Sequence, residues 1–214
     1  MDTSGDYRHL QALYLPIAAG VVVAVLVLVV FAALRWRDRG DGRTPSRRAG
    51  APRLEAAYAI VLALVAALLV GATFRTEGRV DALTHHPRLE VRVTAAKWRW
   101  RFDYADLHVG VIGTDRVPPT LRVPSDTPVR FTLRADDVIH SFWIPAMRFK
   151  RDAFPLRTTR FDLRFPHTGF LEGGGACAAY CGLYHGDMRF GVEVLSPRDF
   201  AGWVRATAAS GGRG

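Results

Sequence analysis

The sequence predicts a membrane-anchored β protein: an N-terminal two-helix transmembrane hairpin, an all-β sandwich with Greek-key connections, and a short C-terminal helix. Three observations lead there. Two long runs lack charge, the stretch between them is rich in arginine, and the chain beyond them breaks into short alternating segments divided by turn residues.

Residues 13–34 carry no charged side chain over 22 positions, and residues 56–74 carry none over 19. At about 1.5 Å of rise per residue, each matches the roughly 30 Å hydrocarbon core of a bilayer. Spans are therefore expected at 13–35 and 56–75. A secretory signal would have a basic start and an apolar stretch of only about 7–15 residues. Here Arg8 is the one basic side chain before residue 13, opposed by Asp2 and Asp6, so the first run reads as a span. The loop at 36–55 and its flank hold Arg35, Arg37, Arg39, Arg43, Arg47, Arg48 and Arg53 against Asp38 and Asp41. Such loops stay cytoplasmic, which puts both termini outside. The formal net charge of +9 has its source partly in that loop, and no nucleic-acid motif accompanies it. From residue 75 onward there are 21 basic and 15 acidic side chains, 21 − 15 = +6, so the outer part is itself basic.

Residues 76–88 are polar without periodicity and read as a linker. Residues 89–195 read as one β domain, with strand-like runs at 89–94, 98–104, 121–123, 128–134, 138–144, 158–165 and 190–195. Pro118 with Pro119, Ser125 with Asp126, and Gly173 to Gly175 supply turns. Trp100, Phe102 and Tyr104 alternate with charged residues at strand spacing and should form one packed face. In the tail, 196–214, Ser196 is a capping residue, Pro197 suits the first helical position and Asp199 the first turn, while Phe200, Trp203 and Val204 give an apolar side. Residues 210–214 are expected to fray.

The chemistry concentrates in Cys177-Ala178-Ala179-Tyr180-Cys181-Gly182-Leu183-Tyr184-His185-Gly186-Asp187-Met188, with His140 on an earlier strand. Thiolate and thioether sulfur are soft donors, and imidazole suits copper as well as zinc. A closed zinc site of two thiolates and two imidazoles leaves Met188 without a role. A mononuclear blue-copper site needs one thiolate, so a second is left over; two bridging sulfurs can instead hold two metal ions. A Cys177–Cys181 disulfide is the structural alternative. Its short loop stabilises less than the roughly 3 kcal/mol expected for fifteen residues, and it explains neither His185 nor Met188.

The pattern Cys-x3-Cys-Gly-x2-His-x2-Met resembles cytochrome c oxidase subunit II. It is preceded here by Val138-Ile139-His140-Ser141-Phe142-Trp143-Ile144-Pro145 and by Trp98-Arg99-Trp100-Arg101-Phe102-Asp103-Tyr104. The hairpin, the segment Lys150-Arg151-Asp152-Ala153-Phe154-Pro155 and the ending Val194-Leu195-Ser196-Pro197 extend the likeness along nearly the whole chain. The resemblance implies a cupredoxin domain over 89–195 and a binuclear copper centre, CuA. Cys177 and Cys181 bridge, His140 and His185 each terminate one copper, and Met188 and the backbone carbonyl of Ala179 complete the set. It further implies electron entry near Trp98, for which an interfacial belt aromatic is the alternative. Glu55 matches a glutamate that feeds protons to subunit I; a carboxylate favouring a helix N-terminus is the other reading. The partners implied are oxidase subunit I, which holds the oxygen chemistry, subunit III, and cytochrome c or a dedicated c-type cytochrome as donor. The location implied is a bacterial plasma membrane.

The sequence departs from the family at Ala179, where an oxygen-bearing glutamate often binds magnesium, so no magnesium ligand is expected from this side chain. Tyr58, Leu62 and Leu156 replace a usual tryptophan, proline and glycine. Typical cytochrome donors are basic, whereas this outer domain is basic too; Asp103, Asp106, Asp136, Asp137 and Asp187 are candidates for a local acidic patch. No haem-attachment motif is present, and His85, His86, His108 and His167 lack ligand context. The competing functions are a quinol oxidase subunit without copper, a membrane-anchored copper storage or delivery protein, and the copper subunit of a nitric oxide or nitrous oxide reductase variant.

Overall fold

The two uncharged runs fold as long helices, α1 (Thr3–Arg35) and α2 (Pro52–Asp81), in a computed structural model that describes residues 3–37, 50–114 and 117–211. Their segments Gly5–Arg35 and Pro52–Asp81 have peak mean hydropathies of 3.2 and 2.4, and the apolar side chains of both face outward. A helix satisfies its own backbone polar groups, so such surfaces are stable when lipid covers them. The two runs pair within one compact unit, residues 8–78, where Tyr14 Oη donates to Leu69 O at 3.1 Å and meets Thr73 Oγ1 at 2.6 Å. Four of the loop arginines (Arg39, Arg43, Arg47, Arg48) with Asp38 and Asp41 lie outside the described residues. Residues 76–81, expected to be part of a linker, instead continue α2. They contain no proline, and a helix leaving a bilayer keeps its internal hydrogen bonds in water.

The β domain lies in a second compact unit and has eleven described strands in two sheets. The first sheet runs β3-β2-β1-β5-β8, from β1 (Leu89–Ala96), β2 (Arg99–Tyr104), β3 (Val109–Ile112), β5 (Val129–Ala135) and β8 (Thr159–Leu163). The second runs β4-β11-β10-β6-β7, from β4 (Thr120–Pro124), β6 (His140–Ile144), β7 (Phe149–Ala153), β10 (Gly175–Cys177) and β11 (Arg189–Leu195), with β9 (Gly169–Phe170) paired to β11. Both sheets are mixed: β1 lies parallel to β5, in register Leu89↔Val129, and β11 parallel to β4.

Period-two alternation decides which face is buried. Trp100, Phe102 and Tyr104 are fully buried while Arg99 and Arg101 are exposed, as the alternation predicts. Between the sheets Phe142 stacks on Phe190 with centroids 4.9 Å apart, and Trp100 meets both edge-on at 5.7 and 5.4 Å. Each such ring contributes roughly 1.5–3 kcal/mol by leaving water. The tail forms α3 (Pro197–Ala209), capped by Ser196, whose Oγ accepts from Asp199 N at 3.1 Å. Phe200 and Trp203 pack on the Tyr104 ring, 6.2 and 5.1 Å away.

Strand direction places the site. His140 opens β6, Cys177 closes the antiparallel neighbour β10, and Met188 immediately precedes β11, so all three lie at one end of the second sheet. The β1–β2 turn of the first sheet, carrying Lys97 and Trp98, reaches the same end: Gly182 of the cysteine loop lies against the Trp98 ring.

Candidate metal centre

His140 is fully buried at the start of β6, and its ring orientation is set from outside the cluster. The Asp137 carboxylate meets its Nε2 at 2.8 Å while accepting backbone N–H bonds from Lys97 at 2.7 Å and Val138 at 2.6 Å. With Nε2 turned toward the carboxylate, Nδ1 faces Cys177 Sγ at 3.8 Å. This is the arrangement by which a carboxylate fixes the tautomer of a metal-binding histidine. From the sequence alone Asp137 reads as a candidate surface acid; its position three residues before His140, at a strand entry, is the signal for the role it has here.

The cysteine loop closes on itself through Cys177 N to Met188 O at 2.9 Å and is tied to β6 through Ala178 N to Ser141 O at 3.0 Å. The two sulfurs are 3.9 Å apart, well beyond the ~2.05 Å of a disulfide. Around them, His185 Nδ1 lies 3.6 Å and Met188 Sδ 3.9 Å from Cys181 Sγ, and the Ala179 carbonyl oxygen lies 3.2 Å from Cys177 Sγ. The ligand atoms of His140, Cys177 and Cys181 all fall within 4.8 Å of one another. Two thiols therefore sit between a histidine on one side and a histidine with a methionine on the other. The fully buried Trp100 underpins the loop through Nε1, which donates to Met188 O at 3.3 Å.

Burial pushes both thiols up, but the outcomes differ. The bond to His140 and the N–H of Ser141 outweigh burial at Cys177 and bring it down to about 6, while burial and the adjacent Cys177 charge push Cys181 up to about 12. Burial lowers the His140 imidazole, yet Cys177 and Asp137 together raise it above its ordinary value. The surroundings thus favour a thiolate at Cys177 over one at Cys181, and a cation binding there would have to displace the protons that remain on the donors.

Trp98 is half-buried and has no bond to the donor cluster; it borders the loop, with Tyr184 edge-on at 4.9 Å. Gly182 has φ +118°, and a Cβ there would lie 3.3 Å from the Trp98 ring, so glycine permits both the turn and the close approach. Glu55 belongs to the helical unit, where its Oε1 accepts from Ala51 N at 2.8 Å at the start of α2. His85, His86, His108 and His167 are exposed.

Residues 106–195 match the family model described as cytochrome C oxidase subunit II, periplasmic domain. Over that stretch the chain is similar to cytochrome c oxidase subunit II. A subunit 2 from Corynebacterium glutamicum is 27% identical over 86% of this chain and 67% of the relative. A probable subunit 2 from Streptomyces avermitilis is 29% identical over 92% and 74%. Against the subunit 2 of Corynebacterium efficiens the chain spans 63% of the relative's length, somewhat less than two thirds. Among solved structures, the periplasmic domain of subunit II of cytochrome oxidase from Bradyrhizobium japonicum superposes with a TM-score of 0.54 at 26% identity, covering 60% of this chain and 99% of that one. The fold is accordingly a β-sandwich like that periplasmic domain, preceded by two helices long and apolar enough to cross a membrane. That family implies copper, and the donor set fits it: soft sulfur with imidazole, the ligand atoms of His140, Cys177 and Cys181 lying within 4.8 Å of one another.

Proposed function

We propose that this chain is the electron-entry subunit of a respiratory terminal oxidase. It accepts electrons from a c-type cytochrome near Trp98 and passes them to the haem and copper site of subunit I, where oxygen is reduced to water with proton translocation. The observation that carries the reading is the convergence of His140, Cys177, Cys181, His185, Met188 and the Ala179 carbonyl around one pair of sulfurs. These residues would hold a binuclear copper centre of the CuA type, which supplies a one-electron store with little rearrangement. Asp137 and the strand ends keep the donors in place beforehand, and Trp100 closes the floor against water. A quinol oxidase subunit lacking copper has no use for such a set.

In this reading the arginine-rich loop at 36–55 is cytoplasmic, and both termini with the copper domain, 89–195, lie outside a bacterial plasma membrane. Spans cover 13–35 and 56–75. Subunit I and subunit III are the membrane partners, and Glu55 hands protons toward subunit I. The Ala179 side chain provides no magnesium ligand.

The test is electron paramagnetic resonance on the copper-loaded full chain, with copper counted per polypeptide. We expect a seven-line hyperfine pattern and two coppers, the signature of one unpaired electron shared by two equivalent nuclei. A four-line pattern with one copper would overturn the relay centre and favour copper storage or delivery.

A further inference from the structure

Beside Trp98 the β1–β2 turn and the cysteine loop enclose an open groove of about 730 Å³. Its lining includes Lys97, Trp98, Arg99, Tyr184, Asp187 and Arg189. The three cations are exposed, and none is ion-paired among the described residues; Arg189 only donates Nε to the Gly186 carbonyl at 3.3 Å. With Asp187 the lining carries 3 − 1 = +2.

Three of the five acids expected near the groove are engaged by neighbours. Asp103 is paired with Arg101 at 2.9 Å and Asp136 with Arg134 at 2.5 Å, while Asp137 is committed to His140 and two backbone N–H groups. Of the five acids expected to form a patch, Asp106 and Asp187 alone have no ion pair among the described residues, and with Asp187 counted the net charge of the Trp98 groove is still positive.

We propose that this groove is the docking surface for the electron donor and that the donor presents an acidic face to it. The proposal rests on the electron-entry reading above and specifies its partner. The exposed Tyr184 ring, packed on Trp98, offers apolar contact at the centre, and Lys97, Arg99 and Arg189 form a basic rim. Electron-transfer encounters are small and short-lived, so their rate is set mainly by electrostatic steering, which favours a face of opposite sign and repels one of like sign. A donor with a basic heme edge is opposed here by the rim and, at longer range, by the +6 of the outer chain.

The experiment uses the purified oxidase complex with its copper loaded and two soluble c-type cytochromes as probes, one acidic and one basic. Oxidation is followed by stopped flow over a range of salt. We expect the acidic cytochrome to react faster at low salt and to slow as salt is added, because screening shortens the reach of the rim. Arg99→Glu and Arg189→Glu should each slow the acidic probe about three- to tenfold at low salt, within the known span of steering effects, and speed the basic one. Arg160→Glu, an exposed position on β8 at the far edge of the first sheet, should leave both unchanged. A basic cytochrome that reacts faster and slows with salt overturns the proposal, as do groove reversals that act no differently from Arg160→Glu. The wild-type salt dependence decides the matter even if a variant folds poorly. A small uncharged reductant separates the two readings. If it delivers electrons through the centre while the charge pattern fails, docking alone is wrong; if no donor delivers electrons, the relay reading falls with it.

Discussion

Asp137 offers a graded test of how the centre is held. Its carboxylate accepts three bonds, from Lys97 N, Val138 N and His140 Nε2, at 2.6–2.8 Å. In Asp137→Asn the amide oxygen can take the place of Oδ1 and keep Val138 and His140. The amide nitrogen then faces the Lys97 N–H, donor against donor. Asp137→Ala loses all three acceptors. A partly buried donor left unpaired costs about 1–3 kcal/mol, and loss of a carboxylate behind a ligating histidine typically costs 10–100-fold in metal affinity, about 1.4–2.8 kcal/mol. We therefore expect Asp137→Asn to weaken copper binding toward tenfold and Asp137→Ala toward a hundredfold. The alanine variant should also have the lower melting temperature, since the turn bearing Trp98 loses its tie to the His140 strand. Competition with a copper chelator gives the affinity, and thermal unfolding without copper gives the stability. Equal copper affinity in wild type and Asp137→Ala would refute the claim that this carboxylate positions His140.

Two further outcomes follow from the same reasoning. Asp162 is buried and holds Arg130 at 2.9 and 3.0 Å and Thr84 N at 2.6 Å, with Arg130 also reaching the Thr84 carbonyl. Asp162→Asn should cost about 3 kcal/mol at neutral pH, read by denaturant unfolding, because Arg130 keeps its charge and loses its partner. Burial raises the Asp162 carboxyl, but Arg130 and the Thr84 N–H outweigh it and hold it below its ordinary value. Its stabilisation is thus complete above the unfolded value of about 3.9 and is lost as pH falls through the lower folded value, so the gap between wild type and variant should close in acid. At the membrane helices, Glu55→Gln should slow turnover of the assembled oxidase and leave the copper spectrum intact; unchanged turnover would reduce Glu55 to the cap that its bond to Ala51 N already makes it.

Strands with strong alternation were legible in advance, and Trp100, Phe102 and Tyr104 are buried on one face as their spacing requires. Four strands escaped notice: β3, Val109–Ile112, which is apolar but only four residues long, and three whose residues carry little pattern of their own. β7, Phe149–Ala153, reads Phe-Lys-Arg-Asp-Ala; β9 is two residues long; β10 begins with glycine. Each is a strand because a neighbour supplies its hydrogen bonds, as β6 does for β7 and β10. The extension of α2 to Asp81 escaped for the related reason that a polar helix and a polar linker look alike in composition.

The sequence by itself determined the two apolar helices and supplied the sulfur and imidazole side chains that the fold gathers, because hydrophobic run length and residue type are local properties of the chain. Ser196 as the cap of α3 was equally local. Only the tertiary structure decided that Asp137 orients His140, that Trp98 rests on Gly182, and that Asp103 and Asp136 are ion-paired while Lys97, Arg99 and Arg189 are not. Those relations join residues far apart in the chain. A carboxylate's consequence depends on which donors the fold brings within 3 Å of it, a distance that no spacing along the sequence encodes.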